Sequence, residues 1–311
     1  MYIKIKKFIV YISLSLLTIT NLIYAGGVDE TSGTGPIVSD YLGRKIRISN
    51  NTRIVPLGGA VTEIVYGLGM GENVVGIDIS ATYPKDVLQL PVVGYQRRIT
   101  AEGVLSVNPT LVIATTESGP VGSLDLIRNS GVTVLILPEI FTIEGTKDKI
   151  YRIGTALNRK SQAAKLIEEL EFDLKSLEEL RNKIISPKRV LFIYARGTNV
   201  LMAAGRNNQA DELIKLAGGT NAGSGFFGFR PLTAESVIAA NPEVVLMLTK
   251  GKASIGGDQG ILKLPGINFT EAGKQNNFID LEDNYLLGFG PRLGKAISDL
   301  VVLLHPEVNQ L

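Results

Sequence analysis

The block Thr100-Ala101-Glu102-Gly103-Val104-Leu105-Ser106-Val107-Asn108-Pro109 recurs 133 residues later as Thr233-Ala234-Glu235-Ser236-Val237-Ile238-Ala239-Ala240-Asn241-Pro242. Each copy then runs into an apolar stretch, 111–114 and 244–247. Every part of the block has a local task. Threonine caps a helix by accepting from a first-turn N–H, glutamate suits the positive end of that helix, and Asn-Pro stops it before a strand. A helix–strand idiom alone is common. The same residues at a constant offset point to an internal duplication, and so to two similar lobes.

Strand-like and helical patterns alternate around each copy. In the first half, 54–57, 74–77, 111–114 and 132–137 read as strands, with helices over 62–68, 101–106 and 123–129. The same grammar restarts at 189–194. Alternation of this kind predicts parallel-rich sheets covered on both faces, two Rossmann-like α/β lobes. Between them, Ile150, Ile153 and Leu157, then Ala164, Ile167, Leu170, Leu174 and Leu177, recur at three- or four-residue spacing. That spacing predicts a long helix joining the lobes, interrupted near Asn158, restarted with Ser161 as N-cap, and finished before Pro187. Its charged face, with Glu168, Glu169 and Lys175, reads as solvated. The divisions expected are a lobe over 40–143, a helical segment over 144–186 and a lobe over 187–311.

The first residues give an address. Lys4, Lys6 and Lys7 precede an apolar run over 8–22, then Ile23-Tyr24-Ala25 and Gly26-Gly27. This pattern reads as a secretory signal over 1–25, cut near Ala25. The run is shorter than the roughly 20 residues that span a bilayer. The chain has no cysteine, so a lipid-anchored form is not expected. Loss of the three lysines takes the net charge from +2 to −1. Residues 26–39 are polar and Gly-rich and read as a flexible leader. The expected location is the periplasm.

Composition removes most chemistry. Without cysteine there are no thiolate metal sites, iron–sulfur clusters or Cys nucleophiles. The single histidine, His305, rules out a multi-His site and reads as a surface or capping residue. The charge is too small for a nucleic-acid footprint. Gly58-Gly59 and Gly67-Leu68-Gly69-Met70-Gly71 miss the dinucleotide fingerprint, and Gly288-Phe289-Gly290-Pro291-Arg292-Leu293-Gly294-Lys295 has the wrong spacing for a phosphate loop. No G-x-S-x-G elbow occurs. The chain reads as a binder, not an enzyme.

Specific residues carry a resemblance. Arg53-Ile54-Val55-Pro56-Leu57-Gly58-Gly59, Val75-Gly76-Ile77-Asp78, Ser80-Ala81-Thr82-Tyr83-Pro84 and Leu90-Pro91-Val92-Val93-Gly94-Tyr95 lie in the first half. Gly218-Gly219-Thr220-Asn221-Ala222 and Phe229-Arg230-Pro231-Leu232-Thr233-Ala234-Glu235 extend the pattern into the second. Over about residues 50 to 300 the chain resembles the periplasmic haem-binding proteins of bacterial haem-uptake ABC transporters. Their general pattern is shared with vitamin B12 and siderophore carriers. The resemblance implies a rigid bridging helix, ligand in the cleft between the lobes, and a monomer that delivers haem b to an inner-membrane permease and its ATPase. An outer-membrane haem receptor system would be the donor.

The resemblance also implies site residues. Tyr83 matches the axial ligand to haem iron, and phenolate oxygen suits Fe(III). Without that context, a tyrosine before proline reads as a turn-packing aromatic. A free phenol has a pKa of about 10, so a nearby cation should help to hold the charge. Lys85, Arg97, Arg98 and Arg230 are the candidates for phenolate or propionate, with Arg230 the best in the second lobe. Tyr95, Tyr194, Phe226, Phe227 and Phe229 are expected as apolar wall, on a mobile Gly-rich edge over 223–228. Glu102 and Glu235 match the acids that dock on the permease. A corrinoid or ferric siderophore carrier is the nearest other reading, and a haem-modifying enzyme on the same scaffold the next.

Overall fold

The computed structural model of the chain describes residues 34–309. The expected signal and residues 26–33 of the leader lie outside the described residues. The rest of the leader is not loose. Ile37–Ser39 pairs antiparallel with Lys45–Arg47, because Val38 and Ile46 face each other and are both buried. The first lobe therefore begins ahead of Asp40.

In that lobe Ile54–Pro56, Leu111–Thr115 and Thr133–Leu137 form a parallel sheet in that order, with Ile54 opposite Leu111 and Leu111 opposite Thr133. The middle strand is buried at all five residues. This is the continuous apolar run expected of a strand covered on both faces. Ile77–Asp78 and Val92–Gly94 form a second parallel pair beside it. The second lobe orders its strands Phe229–Pro231, Val200–Ala204, Arg189–Arg196, Val244–Leu248 and Phe278–Leu281. The last three run parallel; Val200–Ala204 turns back antiparallel, and Phe229–Pro231 reverses again at the edge.

The duplicated block behaves alike in both lobes. Thr100 accepts from the Gly103 N–H and caps Ala101–Leu105; Thr233 accepts from Ser236 N–H and caps Ala234–Ala240. Asn108 and Asn241 end the turns at φ 47° and 36°, left-handed values that asparagine tolerates. Arg53 donates to the Asn108 carbonyl and Arg189 to that of Asn241. Duplication is thus visible in hydrogen bonds as well as in letters.

The bridge consists of Ile143–Ala156 and the 22-residue helix Lys160–Arg181, about 33 Å long at 1.5 Å per residue. Ala163, Leu170 and Leu177 are its buried residues, and it packs against Ile143–Ala156 and Leu293–Leu304. Ser161 is not its cap. Arg159 stands at the cap position, two residues earlier, without a side-chain cap, and the helix begins at Lys160. One apolar cluster runs from Ile54 and Ile113 through Leu170 to Phe192 and Leu300, so the two lobes share a core.

Candidate functional site

Parallel strands leave their carboxyl ends on one side of a sheet, and ligands of open α/β sheets bind there. The cavity follows that rule. It measures about 750 Å³, within the roughly 300–1,000 Å³ of small-molecule sites. In the first lobe its walls are the loops that follow strands: Gly58 after Ile54–Pro56, Ile79 after Ile77–Asp78, Glu117 after Leu111–Thr115 and Glu139 after Thr133–Leu137. In the second they are Arg196, Lys250 and Asp283, at or after the ends of the three parallel strands. The cavity therefore lies between the lobes.

One buried carboxylate organises the first wall. Asp78 accepts from the N–H groups of Gly58 (2.9 Å), Ser80 (3.1 Å) and Gln96 (3.1 Å), and from Ser80 Oγ (3.0 Å). Three separate loops are tied to one side chain. Burial pushes this carboxyl above its ordinary range despite those donors. Gly58 sits at φ 111°, a backbone that favours glycine, and a Cβ on Gly59 would lie 2.2 Å from Asn284 Oδ1. The second half of the chain approaches the first through that gap.

Part of the charge in the cavity is paired. Arg97 bridges to Glu117, and Glu139 to the wholly buried Lys149. Arg196 differs: its guanidinium carbon lies 5.3 Å from the Tyr95 ring centroid and 5.7 Å from that of Tyr194. Tyr95 comes from the first lobe and Tyr194 from the second, so Arg196 is held between them. Burial raises the Tyr194 phenol above its ordinary pKa, the Arg196 charge opposing it.

The expected residues divide. Tyr95, Arg97, Tyr194 and Phe229 line the cavity. Tyr83 follows the lining residue Thr82, is 46% exposed, and is not itself on the wall. Its ring lies under Arg292, 4.0 Å from the guanidinium carbon. Lys85 and Arg98 are exposed and off the wall. Arg230 covers Phe226 at 5.0 Å and Arg206 covers Phe227 at 4.3 Å, so these four form the outer face of an edge strand and its loop. That loop is tied down by Phe226 and Gly228 to residues 205 and 206, not loose. Glu102 and Glu235 are exposed in the first turns of their helices.

The family whose description is "Periplasmic binding protein" matches residues 54–285, both lobes and the bridge. The chain belongs to the periplasmic binding protein family. Among solved structures, it is 45% identical to the periplasmic haem-binding protein RhuT from Roseiflexus sp. RS-1 in apo form. That match covers 83% of this chain and 100% of RhuT, with a TM-score of 0.81. The haem-binding protein BhuT in complex with two haems is 36% identical, covering 82% and 98%, at a TM-score of 0.78. The uncharacterised ABC transporter substrate-binding lipoprotein YvrC of Bacillus subtilis is 27% identical over 82% of this chain and 80% of its own.

In this periplasmic binding protein, three features, two at the site and one away from it, were not read from the sequence. Arg196 had a signal, since Tyr194 and Arg196 share one face of a strand by period-two alternation. Glu63 and Arg292 had none. They are 229 residues apart and meet as a two-pronged ion pair, 2.8 Å at Nε and 2.5 Å at Nη2. Arg292 lies in the Gly-rich run whose spacing fails for phosphate. His305 is the third. It does end the helix Leu293–Leu304, but it is fully buried, not on the surface, and burial lowers its pKa.

Proposed function

We propose that this protein captures haem at the inter-lobe cavity, with its iron toward the edge where Tyr83 follows the lining residue Thr82 and bonds it, and hands it to an ABC permease in the inner membrane. The observation that carries the reading is the 45% identity to haem-binding RhuT over that protein's whole length, with both lobes aligned. The cavity supports it. A porphyrin is a flat apolar disc with two carboxylates, and Phe229, Tyr95 and Tyr194 offer aromatic faces beside the cation of Arg196. Tyr83 suits an iron ligand because its hydroxyl has no hydrogen-bond partner among the described residues, while its ring is anchored. On binding, the phenol proton passes to solvent and the oxygen takes the iron. Glu102 and Glu235 serve as the docking acids. Both are exposed in the first turns of equivalent Thr-capped helices, one per lobe.

The test is titration of the mature protein with hemin, followed by absorbance, with cobalamin as competitor. Saturable binding with a tyrosinate-to-iron charge-transfer band, lost in Tyr83→Phe, is the expected result. Tight cobalamin binding with no hemin spectrum would replace the haem reading by a corrinoid one.

A further inference from the structure

We propose that Arg292, locked by Glu63, is the positioning residue for Tyr83, a role that sequence alone offered to Arg230. The inference rests on the reading of Tyr83 as the iron ligand. Arg292 stands at the start of the helix Leu293–Leu304, and its guanidinium carbon is 4.0 Å from the Tyr83 ring centroid and 4.7 Å from that of Tyr285. The two rings are not equivalent. Tyr285 donates its hydroxyl to Asp299 at 2.8 Å, whereas the Tyr83 hydroxyl makes no hydrogen bond among the described residues.

The guanidinium cannot wander. Its Nε and Nη2 fork onto Glu63, which is 6% exposed and also accepts from Asn284 Nδ2 at 2.5 Å. Glu63 sits on Gly59–Gly67, the helix whose first residues line the cavity. A second tie acts one residue before the ligand: Thr82 Oγ1 donates to Glu282 Oε1 at 2.8 Å. Tyr83 is thus clamped at its ring and its backbone neighbour by the second half of the chain.

A cation over an aromatic face attracts it through the ring quadrupole. The attraction grows when the ring carries the charge of an iron-bound tyrosinate. A planar guanidinium already fixed by a fork gives this contact without further ordering, which a lysine cannot reproduce. Arg230 lacks the geometry, since it covers Phe226 on the edge strand.

The experiment uses the mature protein with two probes, hemin and metal-free protoporphyrin IX. The variants are Arg292→Lys and the pair Glu63→Gln/Arg292→Gln, which leaves no buried carboxylate unpaired. In the pair, hemin release to a scavenger should speed up about two- to fivefold, the range that loss of a partly exposed cation–π contact gives. The tyrosinate-to-iron charge-transfer band should move to lower energy, because the cation no longer stabilises the donor orbital. Arg292→Lys should fall between wild type and the pair, and metal-free porphyrin should bind all three alike. An unchanged band and release rate in either folded variant would overturn the proposal, as would equal weakening of both porphyrins, the mark of a merely structural role. Tyr83→Phe separates the two readings. If it keeps the wild-type band, the ligand assignment itself fails; if it loses the band while the Arg292 variants keep theirs, only this inference does.

Discussion

Lys149 is wholly buried with its ammonium against Glu139, and Glu139 faces the cavity between the lobes. The pair joins the bridge helix Ile143–Ala156 to the loop after Thr133–Leu137. Two desolvated charges gain little over a well-packed apolar pair, but removing one leaves the other stranded.

Lys149→Met should therefore destabilise the protein by about 3–5 kcal/mol, while adding Glu139→Leu should recover most of that loss. Urea unfolding of the three proteins measures both. A single variant as stable as wild type would mean that water reaches Glu139 freely and that the pair does not hold the wall.

Five carboxyls and His305 set the pH dependence of stability. Burial raises Glu63 above its ordinary 4.5, outweighing Arg292 and Asn284, and raises Asp78 and Asp283 above 3.8. The folded state keeps those protons when the unfolded chain has lost them, so their contribution is present at low pH and fades as pH rises through the folded values. Asp211 and Asp280 behave oppositely. Burial pushes each up, but Lys215 with Asn221, and Lys252 with Thr249, hold them below 3.8, so their contribution is lost on further acidification. His305, held below 6.5 by burial, opposes the raised carboxyls as pH falls through the histidine range, so the rise carried by those carboxyls should show at lower pH, toward their folded values, and give way to a fall beneath it. Glu63→Gln should flatten the rise. Urea midpoints from about pH 7 to about pH 3 test this, and an identical profile in the variant would remove Glu63 as a source.

The difference between what could be read and what could not follows from range. Thr100 and Thr233 cap their own helices three residues away, and the apolar run 111–115 buries itself as a strand whatever surrounds it, so lobes and duplication are legible from letters. Glu63 and Arg292 meet only because Gly59 lets Asn284 and its neighbours close in, and nothing near either residue announces the other. His305 misled for a related reason, since burial beneath the last helix overrides its local preference, and Ser161 falls inside a helix that begins at Lys160.

Docking on the permease gives a kinetic prediction. Exposed complementary charges steer encounter and set register more than they hold a complex. Glu102→Ala with Glu235→Ala should leave hemin binding unchanged and slow transfer to the reconstituted transporter, the defect shrinking in wild-type comparison as salt is raised. Either single variant should slow transfer less than the pair. Transfer that stays at the wild-type rate at all salt concentrations would remove both acids from the docking surface.

Arg196 offers the sharpest test of which part of the cargo the second lobe reads. Tyr95 and Tyr194 hold its guanidinium from opposite lobes at 5.3 and 5.7 Å, leaving its N–H groups at a cavity wall where a propionate can meet them. A hydrogen bond to a charged partner contributes about 1.5–3 kcal/mol, so Arg196→Ala should weaken hemin by roughly ten- to a hundredfold. The iron ligand is untouched, so the charge-transfer band of the bound fraction should stay where it is. Hemin dimethyl ester, whose propionates carry no charge, should bind wild type and variant almost alike. Tyr95→Phe keeps the ring face under Arg196 and should have little effect on either ligand. If the ester loses as much affinity as hemin in Arg196→Ala, then Arg196 supports the cavity wall and does not recognise carboxylate.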